Sequence, residues 1–348
     1  MSATPTKLKN TVRPASVQGG ASPRGQPWQK PDVFASRRLA IAPLRPTLRF
    51  RPPRPDSTGK HEPPSVAPTS AMSIRLGYST FSLRSRDLAD SLVRLRRDIG
   101  YEAVELYAAP GAPVAPAKLS PASRRELAAG LQALELAAPV VADPGLLASP
   151  LEHAARADRC RALCELARDL NYGAGAALVA SNISAKRTGW EERRPALRDE
   201  LAAMAAIAAA HQVVLAVKPV CGGPLDEADE MAALLQAVNH PALRLTLDPV
   251  QFTLGGTSLE AVLAECLPHT VYVHVRDASV VEGHVQFVLP GEGEFDFPSF
   301  FALLHQEGFQ GTVCVDCPES VCKARQFDAW EAAEFCYTAL REALAVTE

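Results

Sequence analysis

From residue 74 onward, short runs rich in apolar and β-branched residues alternate with longer segments of helical period, eight times over. A chain that crosses over through a helix after each strand returns to the same end of the sheet, so its strands must run parallel. The spacing predicts strands over 74–80, 101–107, 135–142, 176–181, 212–218, 243–248, 271–277 and 312–317. Helices are predicted over 87–99, 121–133, 151–170, 191–210, 226–238, 258–267, 297–307 and 327–345. Eight such units in roughly 270 residues have the size and order of an α/β (β/α)8 TIM barrel. A doubly wound open sheet is the alternative, and no GxGxxG turn supports it.

Parallel strands covered on both faces usually read as continuous apolar runs, yet several strands here alternate. Leu243, Leu245 and Leu247 oppose Arg244, Thr246 and Asp248. Val271, Val273 and Val275 oppose Tyr272, His274 and Arg276, and Val313 and Val315 oppose Thr312, Cys314 and Asp316. Val213, Leu215 and Val217 oppose Val214, Ala216 and Lys218. Side chains alternate strictly along a strand, so the apolar set meets the helices and the polar set enters the barrel. Its charged members stand mainly at C-terminal strand ends, which a barrel gathers into one ring. Glu105, Lys218, Asp248, His274 and Asp316 are therefore expected at one mouth. Any one of them alone would read as a solvated strand end or an ion pair. Together, carboxylates and an imidazole in one concave site suit a divalent cation or acid–base work beside a carbonyl.

Residues 1–71 have a different character. They hold 13 of the 29 prolines and a net charge of +9, against −12 for the rest of the chain. With no sustained helical or strand period, they are expected to be a disordered basic extension, with the folded domain occupying 72–348. A start site assigned too far upstream of Met72, an organelle-targeting peptide and a basic arm are the three readings of this extension. No aromatic interleaving or folded reader module accompanies it, so no nucleic-acid partner is expected. No run of about 18 apolar residues occurs, so no membrane span is expected either. Eight cysteines scattered over a large domain fit reduced thiols in a cytoplasmic protein.

Three segments resemble the sugar phosphate isomerase/epimerase family, the xylose isomerase-like barrels related to endonuclease IV. They are Leu245-Thr246-Leu247-Asp248-Pro249, His274-Val275-Arg276-Asp277-Ala278, and Leu289-Pro290-Gly291-Glu292-Gly293-Glu294-Phe295-Asp296-Phe297. Tyr101-Glu102-Ala103-Val104-Glu105-Leu106 is a weaker match, and the resemblance covers about residues 74 to 345. It implies a divalent metal, Mn, Mg, Co or Zn, held by Glu, Asp, His and Glu from the fifth to eighth strands. By analogy Asp248 and His274 keep their ligand positions, and Asp316 is a shorter carboxylate at the fourth. Lys218 stands where the first Glu is expected, and Gln251 where many relatives carry a substrate-contacting His.

The resemblance implies a small sugar or sugar-phosphate substrate and proton transfer next to a carbonyl. Asp316 and Lys218 are then the candidate catalytic residues, Asp248, His274 and Asp316 the candidate metal ligands, and Glu105, Gln251 and Arg276 the candidate substrate contacts. An ammonium repels a cation that it cannot ligate. Lys218 could therefore replace the ion, paired with Asp248 and Asp316. Three readings follow: an isomerase or epimerase with an altered metal site, a metal-free enzyme in which Lys218 polarises or condenses with a carbonyl, and a non-catalytic binding or accessory barrel. Substrate identity and oligomeric state are not legible in the sequence.

Overall fold

The computed structural model describes residues 74–347 except 174 and 283, so the expectations for 1–71 and for Met72 lie outside the described residues. Among the described residues ten strands form: β1 (Arg75–Ser79), β2 (Ala103–Tyr107), β3 (Val140–Ala142), β4 (Ala177–Ile183), β5 (Val213–Pro219), β6 (Leu243–Leu247), β7 (Thr270–Val275), β8 (Asp277–Val281), β9 (His284–Val288) and β10 (Thr312–Val315). Strands β1 to β7 and β10 pair in parallel, and β10 joins β7 to β1 to close the barrel. β8 and β9 form a separate antiparallel hairpin.

Helices follow the barrel strands at Leu88–Val93, which continues as a π-helical turn over Arg94–Ile99, and at Pro121–Ala133, His153–Leu170, Trp190–Ala210, Ala228–Val238, Leu259–Cys266, Phe297–Gln306 and Ala329–Ala345. Several start on capping side chains that accept a first-turn N–H, including Ser120, Ser258, Asp296 and Asp328. Outward residues such as Leu106, Leu215, Leu245, Val273 and Val313 join one core with the helices. Inward, Val140, Ala142, Ala180, Tyr272 and Cys314 form a second, smaller cluster. Small neighbours make room there for the one large ring of Tyr272. At Gly77 of β1, a Cβ would lie 2.8 Å from Thr312 and 3.3 Å from Ala103, so the wall leaves no room for a side chain there.

Two departures from the sequence expectation have plain causes. β3 begins at Val140 rather than near Glu135, because Glu135 takes a positive φ of 55° just after the helix and Pro139 has no N–H to give a ladder. The β8–β9 hairpin was not expected. Its connection runs through Glu282, at φ 51°, next to Gly283 in the sequence, and Glu-Gly is a weaker turn signal than Asn-Gly or Asp-Gly.

Candidate active site

The register brings the polar strand ends together. Ser79 stands beside Glu105, Asn182 beside Lys218, and His274 beside Cys314, one residue before the strand end that leads into Asp316. They surround a cavity of about 440 Å³ lined by Ser79, Glu105, Lys218, Thr246, Gln251, His274, Arg276, Phe287 and Asp316 among others. Asp248 is completely buried next to that wall. Asp248-Pro249 begins the short helix Pro249–Thr253, where Asp248 Oδ1 accepts from the Gln251 N–H at 3.4 Å. Its other oxygen is thereby turned toward the cations.

Two linked charge groups fill the mouth. In the first, Lys218 Nζ donates to Asp316 Oδ2 and lies 4.0 Å from Asp248 Oδ2. Arg276 Nε approaches Asp248 Oδ2 at 2.8 Å, an ion pair without the alignment of a hydrogen bond. The same guanidinium donates to Gln251 Oε1 at 3.2 Å and lies over the Phe287 ring at 3.7 Å. In the second group, Glu105 accepts from Ser79 Oγ at 2.7 Å and its other oxygen lies 2.6 Å from His274 Nε2. Both Glu105 oxygens are occupied, so this carboxylate fixes the imidazole. His274 Nδ1 then faces Asp316 Oδ2 at 3.7 Å, which links the groups.

The electrostatics favour ionised side chains. Burial pushes the Asp316 carboxyl up, but the charges of Lys218, His274 and Arg276 outweigh it and hold the group well below the usual carboxylate range. Burial likewise opposes the Arg276 charge, and Asp248 and Asp316 outweigh it, leaving the guanidinium more firmly protonated. Besides Asp248 Oδ2 and Arg276 Nε, which form the ion pair, four polar atoms at or near the cavity, Thr246 Oγ1, Gln251 Nε2, Tyr272 Oη and His274 Nδ1, are buried without a hydrogen-bond partner. Such atoms are costly unless a ligand or water engages them.

All seven residues singled out in the sequence thus lie in or against one site. Thr246, placed on the inward face by its strand parity, also lines the cavity, and the residues missed were Ser79 and Phe287. Inward parity on β1 would have marked Ser79, whereas Phe287 needed the hairpin. The donor set does not fit a divalent cation, because an ammonium occupies the space between Asp248 and Asp316 and contacts both. Among the described residues no group of three or more His, Cys, Asp or Glu side chains is arranged to hold a metal.

The glycine-rich segment after β9 has a different task. Asp277, 1% exposed, accepts N–H bonds from Gly291 and Gly293 at 3.0 Å each, from Phe295 at 3.1 Å and from Ala278 at 2.8 Å. A Cβ on Gly293 would lie 2.2 Å from Asp277 Oδ1, so glycine is required for this close approach. The two motifs are therefore one lock that fixes the loop beneath the hairpin. Asp277→Asn turns one acceptor into a donor that faces N–H groups, and is expected to destabilise the protein by about 2 kcal/mol in urea unfolding.

A family model described as xylose isomerase-like TIM barrel matches residues 93–338. A human protein called putative hydroxypyruvate isomerase is 33% identical over 96 residues, which span 26% of this chain and 30% of that protein. The structure of L-ribulose 3-epimerase superposes with a TM-score of 0.61 at 18% identity, covering 79% of this chain and 96% of the other. The IOLI protein with a bound zinc atom gives 0.61 at 19% identity, covering 79% and 98%. No helix among the described residues is long and apolar enough to cross a membrane.

Proposed function

The chain belongs to the xylose isomerase-like TIM barrel family, and from that premise we propose that it is a small-molecule isomerase or epimerase that moves a proton next to a carbonyl, with Lys218 in place of a divalent cation. The observation that carries this reading is the Lys218 ammonium held between Asp316 and Asp248. The substrate is a short hydroxycarbonyl compound of sugar type, whose hydroxyls would engage Thr246 and Gln251. Hydroxypyruvate and L-ribulose, from the names of similar proteins, are the first compounds to try.

In this mechanism a substrate carbonyl oxygen takes a hydrogen bond from Lys218, which weakens the hold of Lys218 on Asp316. The Asp316 carboxylate becomes more basic at that moment and removes the proton from the adjacent carbon. Negative charge that develops on the oxygen is stabilised by the ammonium. In an isomerisation Asp316 returns that proton to the former carbonyl carbon, while His274, oriented by Glu105 and Ser79, passes the hydroxyl proton of the adjacent carbon to the former carbonyl oxygen. In an epimerisation the same carbon takes a proton on its other face from His274, and Asp316 and His274 regain their starting states by exchange with solvent. A non-catalytic barrel would have no need of an imidazole held by a buried carboxylate beside a second carboxylate.

The test is solvent exchange. Native protein incubated with each compound in deuterated water and excess chelator is expected to incorporate deuterium next to the carbonyl, followed by proton NMR. Asp316→Asn is expected to slow this about 100-fold. Exchange that requires added Mn²⁺ would overturn the metal-free reading, and no exchange with any hydroxycarbonyl compound would overturn the enzymatic one.

A further inference from the structure

The turn that follows β10 brings two thiols into contact. Cys317 directly follows Asp316 and is 2% exposed. Cys322 ends the short helix Glu319–Cys322 and is partly exposed. Their Sγ atoms lie 3.3 Å apart, and Cys322 Sγ is also 3.9 Å from the Cys317 carbonyl oxygen. The proton transfers proposed above use neither thiol.

We propose that Cys317 and Cys322 form a reversible disulfide on reaction with a hydroperoxide, fixing the part of the cavity wall that carries Asp316, Pro318 and Glu319. A disulfide bond is about 2.05 Å long, so the sulfurs need to approach by little more than an ångström. Cys160 and Cys164 also lie close together, but both are fully buried beneath the helices and offer a peroxide no access. Cys317 lines the cavity but is almost wholly buried, so Cys322, partly exposed beside it, is the one a peroxide can reach. Its thiol is drawn below the ordinary range by the hydrogen bond with Cys317, against partial burial and with help from Arg84.

In the first step the Cys322 thiolate attacks one peroxide oxygen. An S–O bond forms, the O–O bond breaks, and the departing oxygen leaves as water or an alcohol after taking a proton. The product is a sulfenic acid on Cys322. The Cys317 sulfur then attacks the Cys322 sulfur, forming the S–S bond and breaking the S–O bond. The hydroxyl leaves as water with the Cys317 proton. The two thiols lose two electrons and the peroxide gains them, and a dithiol reductant reverses the change.

Full-length native protein treated with hydrogen peroxide and cleaved after Glu319 under non-reducing conditions tests this, because that cut separates Cys317 from Cys322. The expected result is two peptides joined until dithiothreitol is added. Before reduction, alkylation of Cys322 by iodoacetamide falls about tenfold and then recovers. Cys317→Ser is expected to leave a Cys322 sulfenic acid that a 1,3-diketone reagent captures. Cys322→Ser, at a partly exposed position that tolerates the change, is expected to leave Cys317 reduced. Both thiols remaining alkylatable after peroxide, or Cys322 oxidising in the native chain without the joined peptides, would overturn the proposal.

Discussion

Lys218→Glu is expected to bind Mn²⁺ about a thousandfold more tightly than the native chain, which should bind it weakly. The native ammonium lies 4.0 Å from Asp248 Oδ2 and donates to Asp316, so an ion entering between those carboxylates must displace it or sit against it. Two unit charges about 4 Å apart interact by about 4 kcal/mol at an effective dielectric of 20, and reversing one neighbour's sign changes repulsion into ligation. Arg276 still occupies one oxygen of Asp248, which keeps the gain below that of a site with no competing cation. Titration calorimetry on both proteins decides the matter. Tight stoichiometric Mn²⁺ in the native chain would mean that Lys218 swings away to admit the ion.

The site was legible because a parallel barrel converts strand parity into geometry. Asp248, His274 and Asp316 each end or follow an alternating strand, so an inward face and a C-terminal position sufficed to bring them together. How they pair was not legible. Nothing in the alternation of Ala103-Val104-Glu105 says that Glu105 spends both oxygens on Ser79 and His274, since that depends on the register of β1 against β2 and on side-chain reach across the barrel. Arg276 was read as a candidate substrate contact, and the sequence did not disclose that its charge lies against Asp248 and its plane against Phe287. Phe287 belongs to the hairpin, which a search for parallel units passes over. The Asp277 lock was hidden for a further reason. The sequence displays Gly291 and Gly293 as a motif, but only the folded loop discloses that their N–H groups converge on a carboxylate 14 and 16 residues earlier.

Removing the ammonium without replacing its charge has the largest expected effect on stability. Lys218→Met leaves Asp316 with His274 at 3.7 Å and Asp248 with Arg276, and takes away the closest partner of a largely enclosed carboxylate. Breaking a buried pair from one side costs about 3 to 5 kcal/mol, because the remaining charge keeps its desolvation penalty. A urea midpoint at neutral pH should show that loss. Lys218→Met combined with Asp316→Asn should recover a good part of it, since neither charge is then buried alone. The pH dependence separates this account from simple loss of packing. In the native chain the Asp316 pKa is depressed below its unfolded value, so its contribution is complete above about pH 4 and is lost as pH falls through the folded value. In Lys218→Met the depression is largely removed, and the variant has less of this stability to lose on acidification. The gap between native and variant should therefore narrow progressively as pH falls below about 4, because the native chain loses this contribution while the variant has little to lose, and it closes only below the folded value, where Asp316 is protonated in both. A gap that stays constant from neutral to acid would assign the loss to packing of the lysine's methylene chain, and would remove Asp316 as the partner that matters.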